Sequence, residues 1–335
     1  MPSRSRSSLP FGAVMATGAA SQLAGSAKVG WLGAPLLLVA MAIALTVIGL
    51  GMRAPSRSAH YPAARLGDFT IPIGLAVIGN SVAQFGGPVL ALGAAVIVAS
   101  AWAYTGLLVF SLVLPLLSSK PGLQAVDGTW FLAPAALLAD GIGVASVAVR
   151  LPRPFALLGW LAFASVTAGV VGYLVVAGLA VARVARHGLA GAPSAPWWIA
   201  AGCGGLSAAA LGRSSAVFPA GHGAELLHAF GVAALSLWMV GTAALLPVLA
   251  GSIRYVVGVR RLAGRPPWPP TFSTGVYALG AGQVSRLLGV PVIAAVAAAA
   301  AVATLFFWLF TVAAHLPRLP MLFSGFHGEF EEPVQ

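Results

Sequence analysis

Polar side chains recur at one depth in five apolar segments of this chain. They lie nine to eleven residues after the aromatic residue that opens each segment. Hydroxyl and amide groups can replace part of the hydration shell of an ion, or they can hydrogen-bond neighbouring membrane helices to one another. Both interpretations stay open for the residues of this polar collar: Ser21 and Gln22, Asn80, Ser207 and Gln283.

A carboxylate occupies the equivalent depth in the third segment. Asp140 follows Phe131 by nine residues, which is about 13 Å along a helix at roughly 1.5 Å per residue. A carboxylate in the middle of a membrane needs an ionic partner or a proton. Asp140 can form an ion pair with Arg286, or it can be protonated and couple transport to protons. A third alternative is that it lies nearer the surface than the residue count suggests.

The elements that position these residues are repeats of one unit. The segments begin 58 to 74 residues apart, and each is followed by a longer apolar run. Recurrence at such a period indicates one supersecondary unit used five times. The unit is predicted to be a helical hairpin, and its opening aromatic residues are Phe11, Phe69, Phe131, Trp198 and Phe272.

The composition is that of a polytopic membrane protein. The chain is 59% hydrophobic and 7% charged, with a mean hydropathy of +0.95, whereas soluble domains are roughly 25% charged. A span needs roughly 20 apolar residues, and ten are predicted. The odd spans are Leu9–Leu23, Phe69–Phe85, Trp130–Val149, Trp197–Leu211 and Thr271–Leu288; the even spans are Trp31–Met52, Val89–Leu116, Phe155–Ala185, Ala229–Ser252 and Val290–Leu316.

The odd spans are short and carry Gly or Pro, whereas the even spans are long and rich in Leu, Val and Ala. Short, broken membrane segments at matching positions of repeats point to a substrate path. We therefore expect an inner ring of five odd helices lining a pore, with the opening aromatic residues and the polar collar as pore-lining candidates. Backbone N–H groups freed at kinks could stabilise an anion. The predicted kinks are at Gly12, Pro72, Pro134, Gly202 and Gly275.

The basic residues indicate orientation. Thirteen of the eighteen Lys and Arg residues fall on the side of both termini, so both termini are predicted to be cytoplasmic, in the plasma or inner membrane. This gives cytoplasmic tails at residues 1–8 and 318–335 around a membrane domain at 9–317. Residues 1–27 also imitate a secretory signal, but their removal would leave nine spans and a broken repeat.

Several function classes are disfavoured. The basic residues are scattered rather than gathered in a stripe, which argues against nucleic acid as a partner. His222 and His228 with Glu225 are spaced by three residues, so the two histidines lie about 120° apart on a helix and do not converge on a metal. Neither catalytic signatures nor cofactor-binding loops are present. We therefore expect no enzyme, no metal and no cofactor.

Three stretches carry a resemblance to a known family. They are Phe11–Gly18 (FGAVMATG), Trp130–Pro134 (WFLAP) and Trp268–Leu279 (WPPTFSTGVYAL). Together with ten spans in five hairpins, they resemble the tellurite-resistance/dicarboxylate transporter family. That family includes TehA-like bacterial channels, fungal malate and sulfite carriers and the slow anion channels of plant guard cells.

The resemblance implies a fold and a function. It implies an inner ring of five helices around a central pore, an outer ring of five, and a homotrimer in which each subunit has its own pore. Phe272 matches the phenylalanine that blocks the family's pore midway, although Ser273 stands where relatives usually have Pro. The implied cargo is a small anion such as chloride, nitrate or sulfite. The alternative is a proton-coupled carrier of C4 dicarboxylates such as malate, or of sulfite.

Overall fold

The chain is all-α in the part that the structure describes. The structure is a computed structural model, and it describes residues 8–26, 30–51, 62–151, 156–188, 194–217, 223–258 and 268–315. These ranges contain helices and short connections, with no strand among them. The prediction of an all-helical protein is confirmed. Residues 1–7, the predicted C-terminal tail and His222 lie outside the described residues.

Ten helices follow one another, each close to a predicted span. Helix α4 comprises Pro88–Leu108, a π-helical turn at Val109–Val113 and a last turn at Leu114–Ser118. The other helices are α1 Ser8–Ser26, α2 Gly33–Gly51, α3 Thr70–Phe85, α5 Leu132–Arg150, α6 Ala156–His187, α7 Ser194–Ser214, α8 Gly223–Gly258, α9 Trp268–Leu288 and α10 Pro291–His315.

The helices differ in how much apolar surface they expose. Among the described residues, six helices are long and apolar enough to cross a membrane, and Gly33–Gly49 is a shorter apolar helix. The span Gly128–Arg150, which contains α5, is 72% buried, whereas Pro291–Ala313 in α10 is 11% buried. Exposed Leu, Val and Phe side chains cover the even helices. Because such a surface is stable only against lipid, the chain is an integral membrane protein.

Contacts between helices follow the repeat. Each odd helix packs against the even helix that follows it, which gives the five predicted hairpins. Each odd helix also contacts the next odd helix, and α9 contacts α1. The contacts among α1, α3, α5, α7 and α9 therefore run in a closed cycle.

Two of the predicted kink residues lie where one kind of helix changes to another. Pro72 and Pro134 are the third residues of α3 and α5. The 3-10 turns Pro62–Phe69 and Gly128–Phe131 run directly into these two helices. The α-helical structure continues through Gly12, Gly202 and Gly275. A change of helix direction at the five residues stays a prediction.

Irregular backbone also occurs in the even helices. The π-helical turn at Val109–Val113 interrupts α4, and Pro247 lies inside α8. The glycines of the odd helices serve close packing: a Cβ on Gly204 of α7 would lie 2.5 Å from the Cα of Gly241 in α8. Small residues that let helix backbones approach are typical of packing between membrane helices.

Candidate functional site

A small central cavity lies where the five odd helices meet. Its volume is about 20 Å³, room for roughly one water molecule. Because every odd helix contributes to its wall, the cavity lies on the common axis of these helices. Its lining residues are Ala19 and Gln22 of α1, Ala76, Val77 and Asn80 of α3, Ala139 and Ile142 of α5, Leu206 of α7, and Val276 and Leu279 of α9.

Two members of the predicted polar collar line this cavity. Gln22 donates its Nε2 to the carbonyl oxygen of Val77 at 3.1 Å. The Oδ1 of Asn80 accepts hydrogen bonds from Gln84 Nε2, at 3.2 Å, and from the hydroxyl of Ser146. The cavity is otherwise walled by apolar side chains. The polar groups of the cavity wall are therefore two amide side chains.

The other collar residues are placed elsewhere. Ser21 donates its hydroxyl to the carbonyl of Gly33 at 2.7 Å, so it joins α1 to α2. Ser207 is fully buried with no hydrogen-bond partner for its hydroxyl, while its neighbour Leu206 lines the cavity. Gln283 accepts a hydrogen bond from Arg286 Nε at 3.1 Å. Ser21, Ser207 and Gln283 therefore do not line this cavity, and their pore-lining role stays a prediction.

Asp140 is turned away from the cavity. Its neighbours Ala139 and Ile142 line the cavity, whereas the carboxyl of Asp140 is fully buried beside the hydroxyl of Thr105 on α4. Neither carboxyl oxygen has a partner that meets hydrogen-bond geometry, and neither does the Thr105 hydroxyl.

The predicted ion pair between Asp140 and Arg286 is not formed. Arg286 donates to the side chain of Gln283 and to the carbonyl oxygen of Gly212 at 3.0 Å. These acceptors lie at the C-terminal ends of α7 and α9, whereas Asp140 lies midway along α5 against an even helix. The pairing was therefore a wrong prediction.

Phe272 lies on the face of α9 that points to the cavity. The two sides of that face pack against neighbouring helices. On one side Ser273 packs against α7, because a Cβ on Gly202 would meet Ser273; on the other Gly275 packs against α1, because a Cβ on Gly275 would lie 3.0 Å from the Cβ of Ala19. Phe272 falls between these two contacts, four residues before the cavity-lining Val276. Its side chain is 3% exposed, about one helical turn from the cavity.

Among the described opening aromatic residues, Phe69, Phe131 and Trp198 do not line the cavity. Phe131 packs against Tyr173 of α6 and Trp197 of α7, with ring centroids 6.0 and 6.5 Å apart. Trp198 packs against Phe307 of α10 at 6.4 Å. Phe69 is fully buried within the apolar core, and the side chain of Phe11 lies outside the described part of the chain. The pore-lining role of these residues stays a prediction.

A second cavity opens at the C-terminal ends of α3, α5 and α7. We call it the arginine vestibule; its volume is about 80 Å³, and it is lined by Ala83, Gln84, Ser146, Val149, Arg150 and Arg213. Arg213 donates its Nε to the hydroxyl of Ser146 at 3.1 Å, and Arg150 donates Nη2 to the carbonyl of Gln84 at 3.2 Å. The sequence analysis did not single out this site, although basic residues end three of the five odd helices.

The sequence matches the family described as voltage-dependent anion channel over residues 9–316. The chain belongs to the SLAC1 family. This confirms the resemblance drawn from the three sequence stretches. Members of the SLAC1 family are channels and transporters rather than enzymes, so this protein moves anions across a membrane. No individual curated protein matches the chain with significant similarity.

The polar groups that line the two cavities are hydrogen-bond donors rather than a set of metal ligands. Within the described residues of this SLAC1 protein, no three His, Cys, Asp or Glu side chains come together as metal ligands. Cys203 donates its thiol to the carbonyl of Phe131 at 3.3 Å, which joins α7 to α5. The hydrogen-bond donors of the site are instead amides, a hydroxyl and guanidinium groups, which suit a negatively charged cargo.

Proposed function

We propose that this SLAC1 protein is a passive channel for small inorganic anions such as chloride, nitrate or sulfite, and that Phe272 closes it at rest. The supporting observation is the position of Phe272 on the cavity-facing side of α9, next to a cavity with room for roughly one water molecule. A buried ring at that position leaves no space for an ion and its hydration shell.

The proposed mechanism needs no backbone break. An apolar constriction gates by steric block and by dewetting, and Phe272 lies in one apolar cluster with Met15, Ile73 and Val276. Movement of the ring would let water enter, and the amides of Gln22 and Asn80 would then replace part of an anion's hydration shell. Weak contacts of this kind allow release, which conduction requires.

A second candidate is a proton-coupled carrier of C4 dicarboxylates or sulfite, with Asp140 as the proton site. The observation that favours it is a buried carboxyl whose two oxygens lack partners, since an ionisable group inside a membrane is a functional candidate by default. Against it, Asp140 faces Thr105 on an even helix rather than the cavity. The channel is therefore the leading proposal.

We also propose a membrane topology and an oligomeric state for the channel. The membrane domain would span residues 9–317 of the plasma or inner membrane, with both termini cytoplasmic, as the distribution of basic residues favours. The exposed apolar faces of the even helices would contact lipid and, in a homotrimer, neighbouring subunits. Light scattering of the purified protein in detergent tests the trimer.

Voltage-clamped membranes test the channel. Wild type and Phe272→Ala are compared in chloride, nitrate and sulfite at two pH values. A large current gained by the variant, equal at both pH values, is expected. Absence of current in both, together with saturable, proton-driven uptake of malate or sulfite that Asp140→Asn abolishes, would replace the channel by the carrier.

A further inference from the structure

The arginine vestibule concentrates positive charge without a counterion. Both Arg150 and Arg286 lie close enough to Arg213 to repel its charge. Among the described residues, none of the three is paired with a carboxylate. Arg213 is partly buried, and Arg150 and Arg286 are exposed beside it, so the combined positive charge favours an anion that enters the vestibule.

The described acidic residues lie away from the arginine vestibule, which leaves the vestibule positively charged. Asp68 and Asp127 lie just before α3 and α5, at the opposite ends of these helices, and Asp140 is buried against α4. Glu225 is exposed on the first turn of α8. The other three acidic residues of the chain, Glu329, Glu331 and Glu332, lie outside the described ranges. No acidic side chain lines the vestibule itself.

Hydrogen bonds join Arg213, Ser146 and Asn80 in one donor-to-acceptor sequence. Arg213 Nε donates to Ser146, and the Ser146 hydroxyl donates in turn to Asn80 Oδ1. Asn80 Oδ1 also accepts from Gln84. These bonds occupy the acceptor atoms of Ser146 and Asn80. The terminal nitrogens of Arg213 and the Nδ2 of Asn80 make no hydrogen bond within the described part of the chain, so N–H groups remain for a ligand.

This directed chain connects the two cavities. Ser146 lines the vestibule and Asn80 lines the central cavity, so the hydrogen bond between them joins the two walls. An anion that leaves Arg213 meets the Asn80 amide next. The vestibule volume of about 80 Å³ is about four times that of the central cavity, so the vestibule is the roomier of the two sites for an anion.

We propose that the arginine vestibule is a binding site for one small inorganic anion, held by Arg213 and Arg150 and passed to Asn80. This deepens the proposed channel function and rests on it for the transfer step alone. Binding itself requires only the geometry of the vestibule: guanidinium groups on two sides, a directed hydrogen-bond chain and no lining carboxylate.

Nitrate binding to the purified full-length protein tests the site. Nitrate replaces gluconate at constant ionic strength, and the nitrate-dependent rise in melting temperature gives a half-saturating concentration. Arg213→Gln should raise that concentration about ten- to hundredfold, the equivalent of roughly 1.5–3 kcal/mol for a charge-assisted hydrogen bond. Arg213→Lys keeps the charge but loses the planar guanidinium group. Its half-saturating nitrate concentration should lie between those of wild type and Arg213→Gln.

Two further variants complete the test. Arg150 lies at the exposed rim of the vestibule, so Arg150→Gln should fold even if Arg213→Gln does not. Arg150→Gln should also weaken nitrate binding. Arg186→Gln removes the same charge from an exposed position at the other end of the molecule, on the last turn of α6, and should bind nitrate like wild type. Unchanged half-saturation in folded Arg150→Gln or Arg213→Gln would overturn the proposal.

A current measurement separates this proposal from the channel function. In the Phe272→Ala background, the nitrate concentration that half-saturates the current should rise when Arg213→Gln is added. If Phe272→Ala carries no current but nitrate still stabilises the protein through Arg213, the vestibule stands and the channel proposal fails. If Phe272→Ala conducts and Arg213→Gln leaves half-saturation unchanged, the vestibule proposal fails alone.

Discussion

Gly205 and Gly280 bring the backbones of α7 and α9 into direct contact. A Cβ added to Gly280 would lie 2.2 Å from the carbonyl oxygen of Gly205, and a Cβ on Gly205 would lie 2.4 Å from the Cα of Tyr277. Backbone atoms cannot move aside as a flexible side chain can. The separation of two cavity-lining helices is therefore set by the absence of two side chains.

Gly280→Ala is expected to destabilise the protein by about 1–3 kcal/mol, because the added methyl overpacks the contact between α7 and α9. The melting temperature in detergent measures the effect. Gly282→Ala is the matched control, since a Cβ at Gly282, two residues further along the same helix, would meet nothing within 4 Å. Equal melting temperatures for the two variants would contradict the assigned contact.

Phe131→Ala is expected to lower stability without opening the pore. Phe131 occupies the same position in its repeat as Phe272 but packs against Tyr173 and Trp197. Its removal should cost about 3–5 kcal/mol, as for other buried aromatic residues, and should leave the anion current as small as in wild type. A large current in Phe131→Ala would show that loss of any buried aromatic residue opens the pore.

Asn80→Ala is expected to reduce anion current in the Phe272→Ala background. The variant removes the amide from the central cavity and deprives Ser146 and Gln84 of their shared acceptor. Single-channel conductance is the measurement. Ser81→Ala is the neighbouring control, because Ser81 donates its hydroxyl to the Val77 carbonyl of its own helix at 2.9 Å. In the same background, Ser81→Ala should leave the conductance unchanged.

Asp140→Asn is expected to leave anion current unchanged in the Phe272→Ala background, because Asp140 faces Thr105 and not the cavity. The neutral amide can also donate a hydrogen bond to Thr105, so the melting temperature should be equal or higher. Current and thermal stability are measured on the same preparation. A loss of transport in this variant would favour the proton-coupled carrier.

The sequence predicted the helices well because their signal is strong. Apolar runs of membrane length set the ten spans, and the recurrence from Phe11 to Phe272 set the pairing into hairpins. The depth of Gln22 and Asn80 also followed from counting, since both line the cavity, whereas Gln283 lies beyond it, near the C-terminal end of α9.

The direction in which a side chain points from its helix could not be predicted by counting from the aromatic residue. One residue turns the chain by about 100°, so Asp140 faces α4 while its neighbour Ala139 faces the cavity. The same limit applies to Ser21 and Ser207, which do not line this cavity. The effect of Pro72 and Pro134 depends on where the helix begins, and boundaries are the least reliable part of a prediction from sequence.

The common direction of the five odd helices makes the two mouths electrically unlike. The C-terminal ends of α5, α7 and α9, which carry negative partial charge, are capped by Arg150, Arg213 and Arg286 in their last turns. These arginines offset the negative helix ends at their mouth, while the positive helix ends at the opposite mouth also favour an anion. The proposed pore therefore presents no repulsive entrance to a negatively charged cargo.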